Sequence, residues 1–445
     1  MTQSAQPVPA PPTTPPDQGR WPGLAVVPEG PRTRVSAKVA RRLFLGAVGR
    51  LDVTVHLEGR SYGRGGPEMT IHRPEEFFAR VGRQQLIGFG EAYLTGAWDA
   101  PDLGGFLTVM ASEITDLVPQ SLQKLRSLIV KRPPSSQRSS KKNSQDNIAH
   151  HYDLSNELFE LFLDPTLSYS CALWDTGVTA TDDVLNGRRG ERLVASPPGT
   201  VSVDTLEDAS VRKVERLLDA AGVGEGSRVL EIGSGWGELA IRAARRGATV
   251  RTITLSVEQK ALAEERIAAA GLSESISVEL CDYRDVQGSY DAIVSVEMIE
   301  AVGHTYWATY FKTLDRALAP GGKVAIQAIT MPHDRMLATR NTYTWIHKYI
   351  FPGGLLPSVE AIDQITRDKT SLRLTERFQF GLHYAETLRL WDEVFLARRD
   401  EVVAMGFDEV FLRMWHFYLE YSRAGFASGY IDDYQLVLER PEGSA

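Results

Sequence analysis

Val229-Leu-Glu-Ile-Gly-Ser-Gly-Trp-Gly237 decides how the chain reads. An apolar run carries one acid, Glu231, and closes on three alternate glycines, after which Glu238 to Arg246 has a helical composition. The pattern is strand, tight turn, helix. Glycine accepts the positive φ of such a turn and lets a ligand approach the main chain where a Cβ would collide. Further apolar runs follow at the spacing of an alternating α/β fold: Val250 to Leu255, Ile276 to Cys281, Tyr290 to Val296 and Lys323 to Ile329. Ser256 stands as N-cap of a helix opening Val-Glu-Gln, and Ala319-Pro-Gly-Gly322 reads as a turn before the fifth strand. These signals predict a Rossmann-like, mostly parallel sheet.

In such a sheet ligands gather at the carboxyl ends of the strands, so Gly233, Gly235, Thr254, Gln259, Asp282 and Tyr283 should converge. A dinucleotide site reads G-x-G-x-x-G, with an acid about twenty residues on for the ribose. Here the acid precedes the glycines, and Thr254 with Gln259 occupies the place of the ribose acid. That favours S-adenosylmethionine as cofactor.

With 445 residues, 43% hydrophobic and 24% charged, the chain can bury a large core in two or three domains. A net charge of -8 disfavours a dedicated nucleic-acid binder. Two cysteines, Cys171 and Cys281, make no disulfide framework and fit a reducing cytoplasm. No apolar run has the h-region pattern of a signal peptide or the roughly 20 residues of a membrane span. The expected location is cytoplasmic, peripheral to the inner face of a membrane.

Residues 1–30, with seven prolines in the first 22 positions, read as a disordered tail. A small α+β domain is expected over 31–120, with Phe77, Phe78, Phe89, Tyr93, Trp98 and Phe106 as core. Its first helix, around Val35 to Val48, interleaves apolar residues with Lys38, Arg41 and Arg42, which suits either a lipid surface or a solvated helix packed on the domain. A basic linker over 121–146 holds seven cations and no acid between Lys124 and Lys142; it too reads either as solvated or as a contact for phospholipid headgroups. The run has no aromatics for base stacking, so no nucleic-acid partner is expected. The main domain spans 147–440. His150 and His151 have no further ligand at useful spacing, so no metal is expected. Residues 186–204 read as a flexible insertion, and Phe378 to Met414 as a helical, aromatic-rich lid for an apolar chain.

Six separated motifs give the chain a family resemblance. They are Gly88-Phe-Gly-Glu-Ala-Tyr-Leu-Thr-Gly-Ala-Trp98, His151-Tyr-Asp-Leu-Ser-Asn156, Tyr169-Ser-Cys-Ala-Leu-Trp174, Thr254-Leu-Ser-Val-Glu-Gln259, Met298-Ile-Glu-Ala-Val-Gly303 and Tyr349-Ile-Phe-Pro-Gly-Gly354. From about residue 70 to 440 the chain resembles the cyclopropane-fatty-acyl-phospholipid synthases, a branch of the class I methyltransferases. Within them it looks most like the actinobacterial subgroup that methylates oleoyl chains toward tuberculostearic acid. The resemblance implies methyl transfer from S-adenosylmethionine to a cis double bond of a phospholipid acyl chain. Its product would be a 10-methylene chain, with cyclopropane closure as the alternative, and a separate flavin- or nicotinamide-dependent reductase would complete a methyl branch. A homo- or hetero-oligomer is also implied. For the cofactor it adds Tyr169 and Ser170.

An alkene has no proton to lose before it attacks a methyl group, so transfer leaves a carbocation that must be stabilised, kept dry and then deprotonated. By resemblance the base is a bound bicarbonate, surrounded by Cys171 and Ile329 through their main chains, Glu300 and Tyr384. Ala301 and Gln327 replace two histidines of the best-known bacterial members. Gln327 can donate a hydrogen bond to an anion but carries no charge, which leaves Glu300 as the alternative base. Two competing readings are a methyltransferase of a small polar molecule and a lipid-binding scaffold with an inactive domain. The Glu297-Met-Ile-Glu300 strand end disfavours the first; the intact glycines, Gln259 and Glu300 disfavour the second.

Overall fold

The structure, a computed structural model, describes residues 9, 11–12, 15–113 and 155–441. The readings of the basic linker, of Asn147 as a domain start and of His150 and His151 lie outside the described residues. The chain divides into two compact units, one of Met1–Lys131, Tyr343–Ile350 and Leu388–Tyr430, the other of Arg132–Thr342, Phe351–Thr387 and Ile431–Ala445. This amends the expected domain boundaries, because residues 343–350 and 388–430 join the N-terminal segment.

The first unit opens with the helix Pro31–Val48 and a four-stranded sheet, β1 (Thr54–Leu57), β2 (Arg60–Gly63), β3 (Glu68–Ile71) and β4 (Trp98–Asp99), in the order β2-β1-β3-β4. The recruited segments come to it for their aromatic faces. Phe417, on the helix Glu409–Ala427, meets Tyr93 at 5.3 Å, Trp98 at 6.4 Å and Trp345 at 4.8 Å. Arg413 on the same helix is fully buried, lies over the Tyr93 ring and donates to the Tyr93 carbonyl at 2.8 Å. The motif from Gly88 to Trp98 is therefore a packing device: a Cβ on Gly90 would strike the Trp345 indole, and buried Glu91 takes an ion pair from Lys348 and a hydrogen bond from Tyr349. The tail is not disordered throughout. Leu24 is buried with its carbonyl held by Arg80, and the Trp21 indole donates to Asp408.

The second unit holds β5 (Val178–Leu185), β6 (Arg188–Ala195), β7 (Arg228–Ile232), β8 (Thr249–Thr254), β9 (Ile276–Leu280), β10 (Tyr290–Val296), β11 (Leu318–Thr330), β12 (Arg373–Gln379) and β13 (Asp432–Glu439). They form one sheet in the order β5-β6-β12-β13-β11-β10-β7-β8-β9. Strands β11, β10, β7, β8 and β9 run parallel, and β13 enters antiparallel against β11. A strand covered on both faces buries successive residues, and β7 buries all of Val229 to Ile232, with Glu231 as the one acid among apolar neighbours. The expected strands over 229–296 are all present. Two details differ. Ala319 to Gly322 is not a turn but a register shift inside β11, where a side chain on Gly322 would hit the Asp291 carbonyl. Residues 186–204 are not simply a flexible insertion, since β6 pairs along all of β5 and docks on Phe378 and Gln379, while Arg188 and Asn186 bind the buried carboxylate of Asp363.

Candidate active site

Chain order reverses at β7, which has β8 and β9 on one side and β10 and β11 on the other; ligands of open α/β sheets bind at such a point. Paired registers set the carboxyl ends of these strands side by side, Ile232 opposite Ile253, Thr254 opposite Leu280 and Val296 opposite Gln327. The residues just beyond those ends form the site.

In the glycine turn the amides of Gly233 and Ser234 both donate to the Ile253 carbonyl, and Gly233 and Gly235 hold φ of 97° and 49°. A Cβ on Gly235 would meet nothing within 4 Å, so the turn borders open space; one on Gly233 would touch the Met298 side chain at 3.2 Å. On the next strand Thr254 donates to the Gln259 side chain at 3.0 Å, and Ser256 caps its helix by accepting from the Gln259 amide. Asp282 and Tyr283 follow β9. Arg284 grips both oxygens of Asp282, a pairing the sequence reading missed, and Tyr283 is buried against Tyr310. Tyr169 packs on Phe159 at 5.0 Å, and the Ser170 hydroxyl accepts from buried Lys213 at 2.7 Å.

Three of the candidate catalytic residues, Cys171, Gln327 and Tyr384, meet on Glu297, which the sequence reading places only at a strand end. Glu297, the first residue past β10, accepts from the Cys171 amide at 3.0 Å and the Gln327 side chain at 2.8 Å on Oε1, and from the Tyr384 hydroxyl at 2.7 Å on Oε2. Ile329 donates its amide to Glu300 instead, at 2.6 Å, and the buried second oxygen of Glu300 has no partner. Neighbouring bonds fix these donors. The Ala172 amide binds Thr387 and the Trp174 amide binds His383 Nδ1, which holds the 169–174 segment with the Cys171 amide facing Glu297. The Gln327 oxygen accepts from Gln435, itself oriented by Arg216, so the Gln327 nitrogen is the end that reaches Glu297 and Asp433.

Bicarbonate does not fit here as expected. The Cys171 amide, Gln327 and Tyr384, which were to hold or contact it, already serve a carboxylate of the chain itself. The Cys171 thiol is buried, with burial and Asp433 pushing it well above its ordinary range, so it makes no nucleophile.

Electrostatically the site gathers an excess of buried acid around Lys213. Burial pushes Glu300 up to about 8, helped by the charge of Glu297, and burial pushes Glu231 up to about 8. Asp433 is raised well above the carboxylate range by burial, Glu297 and Glu300, while burial lowers Lys213 against the pull of the acids. Such groups cannot all ionise together. Glu297, also raised by burial, is the one with three donors aimed at it and holds the negative charge best. Lys213 and Asp433 left traces in the sequence. Lys213 falls on the apolar stripe of the helix Leu206–Ala220 with Ala209, Ser210, Val214 and Leu217, and Asp433 alternates with Gln435 just ahead of the apolar run Leu436 to Leu438.

The mycolic acid cyclopropane synthetase family matches residues 139–436. The chain belongs to that family. It is 52% identical over 428 residues to the tuberculostearic acid methyltransferase UfaA1 of Mycobacterium tuberculosis, covering 95% of this chain and 96% of that one. It is 33% identical over 375 residues to the cyclopropane-fatty-acyl-phospholipid synthase of Escherichia coli, covering 84% and 88%. The solved cyclopropane synthase MmaA2 of M. tuberculosis superposes with a TM-score of 0.56 at 30% identity, over 66% of this chain and 97% of that one. The mycolic acid cyclopropane synthase CmaA1 complexed with SAH and CTAB gives 0.56 at 28%, over 66% and 98%. The fold is thus the class I methyltransferase sheet with an added N-terminal region, and the enzyme is an S-adenosylmethionine-dependent methyltransferase.

Proposed function

We propose that this enzyme transfers the methyl group of S-adenosylmethionine to the cis double bond of an oleoyl-type phospholipid chain and releases a 10-methylene chain. Identity of 52% to a tuberculostearic acid methyltransferase, over nearly the full length of both proteins, carries the reading. The site is chemically suited to it. In the described structure the end of β10 gathers buried carboxyl groups, which stabilise a cation, rather than a dedicated binder for a polar nucleophile.

The alkene π pair forms the new C–CH3 bond while the S–CH3 pair returns to sulfur, leaving S-adenosylhomocysteine and a cation on the adjacent carbon. A hydride shift from the methyl-bearing carbon moves the cation there, and loss of a methyl proton closes the exocyclic C=CH2 bond. Loss of that proton before the shift would close a cyclopropane ring, which the likeness to the E. coli synthase keeps as the second reading. Reduction by a separate flavin- or nicotinamide-dependent enzyme would turn the methylene into a methyl branch. Both products add one CH2, so mass alone does not separate them. Ozonolysis of lipids from a host expressing this chain alone does: a methylene becomes a ketone and a cyclopropane survives. A ring product, or no new lipid, would sink the methylene assignment.

A further inference from the structure

We infer that Glu297 is the anion of this active site, built into the chain in place of a bound bicarbonate, and that its carboxylate takes the proton released after methyl transfer. The inference rests on the alkene-methylation reading above.

The geometry carries it. The Cys171 amide, the Gln327 amide and the Tyr384 hydroxyl belong to three separate parts of the chain, yet all donate to one carboxylate, with the Gln327 nitrogen oriented by Gln435 from behind. An ionised carboxyl has about four acceptor positions. Three are filled, and the open one lies on Oε2. An anion entering from solvent would find the same donors occupied.

The backbone gives a second, independent sign. Glu297 sits at φ 47°, in the left-handed region that costs a side-chain-bearing residue on the order of 1–3 kcal/mol and that clusters at functional sites. Glycine would adopt that angle freely. The chain accepts strain here to hold a carboxylate among these donors. The Met298 side chain approaches the Gly233 position of the glycine turn, so the acid follows directly on the strand end that abuts the expected cofactor loop.

The proton balance is simple. The C–H pair of the cation becomes the new C=C bond, the proton binds the open position of Oε2, and the acid returns it to water between turnovers. A carboxylate with three donors is a weak base, but a proton beside a carbocation is so acidic that a weak base suffices. Glu300, with one donor and burial raising it to about 8, is mostly protonated at neutral pH and is the poorer acceptor.

Glu297→Gly tests this with little risk to folding, because glycine relieves the strained φ. The full chain is assayed with S-adenosylmethionine and oleoyl-phospholipid vesicles in CO2-free buffer, with and without added bicarbonate. The wild type should turn over equally in both. Glu297→Gly should lose on the order of 100-fold or more in CO2-free buffer and recover much of it when bicarbonate fills the vacated donors. Binding of 13C-bicarbonate followed by NMR, without substrate, should appear in Glu297→Gly and not in the wild type. A wild type that slows without bicarbonate, or a folded Glu297→Gly protein that keeps its rate or takes up no bicarbonate, overturns the inference. A wild type that methylates no lipid in either buffer instead sinks the functional reading, and the binding contrast still decides the role of Glu297.

Discussion

Two glutamates three residues apart divide the work of the site by the donors each receives. Glu297 meets three and Glu300 one, so substitution should separate them. If Glu300 is neutral in the working enzyme, Glu300→Gln copies it. Its kcat at pH 7 should then stay within about tenfold of wild type, short of the 100-fold or more that removing a general base costs. The same carboxyl should show in stability. Its pKa is raised in the fold to about 8, so between about 4.5 and 8 the native state binds a proton that the unfolded chain has released. The native state is favoured below that window, and the advantage drains away as pH rises through it. Thermal melts from pH 5 to 8 should fall less steeply for Glu300→Gln than for wild type. Parallel curves would mean that Glu300 ionises normally, and a 100-fold slower variant would return the base role to it.

At the scale of elements, the turn after β7 and the helix start after β8 are where sequence and structure agree most closely. Gly235→Val should impose a positive φ on a branched residue and push its side chain into the open space of the turn. Overpacking of about 1–3 kcal/mol corresponds to roughly 5- to 150-fold weaker cofactor binding by calorimetry. Unchanged affinity would remove this turn from the site. Ser256→Ala removes the cap that accepts from Gln259 and should cost about 1 kcal/mol of stability, read from denaturant midpoints. These elements were legible because local rules write them: glycines where φ turns positive, a hydroxyl at an N-cap, apolar runs for a covered sheet. What stayed hidden was written by long-range contact. Glu297 looked like the tail of a strand, and only the folded chain brings Cys171, 126 residues earlier, onto its carboxylate. The β5–β6 hairpin was missed because its strands are largely exposed and polar, an edge held by pairing and by Asp363 rather than by apolar alternation. The recruitment of residues 388–430 to the first unit escaped notice because an aromatic helix does not state which surface it covers.

Under the proposed function the whole molecule would take an apolar chain from a lipid surface while carrying a net charge of -8, which anionic lipid repels. No helix among the described residues is long and apolar enough to cross a membrane. The helix Pro31–Val48 instead presents Val35, Val39 and Leu43 to solvent, at 65%, 53% and 57% exposure. Spaced four apart they form one stripe, flanked by exposed Lys38 and Arg42. The seven cations from Lys124 to Lys142 add a second basic segment in the sequence. Inserting the stripe would contribute roughly 1 kcal/mol or more per side chain, and each cation near anionic headgroups about 1 kcal/mol. The two contributions differ in their response to salt, since headgroup attraction is screened within about 10 Å at 0.1 M while apolar insertion is not. Flotation on anionic vesicles across a salt series should therefore separate them. Replacing Val35, Val39 and Leu43 with serine should weaken binding at every salt concentration. Replacing Lys131, Arg132, Arg138, Lys141 and Lys142 with glutamine should weaken it chiefly at low salt. If both variants float like wild type and methylate vesicle lipid at its rate, the acyl chain enters from a different surface, and both basic segments serve only solubility.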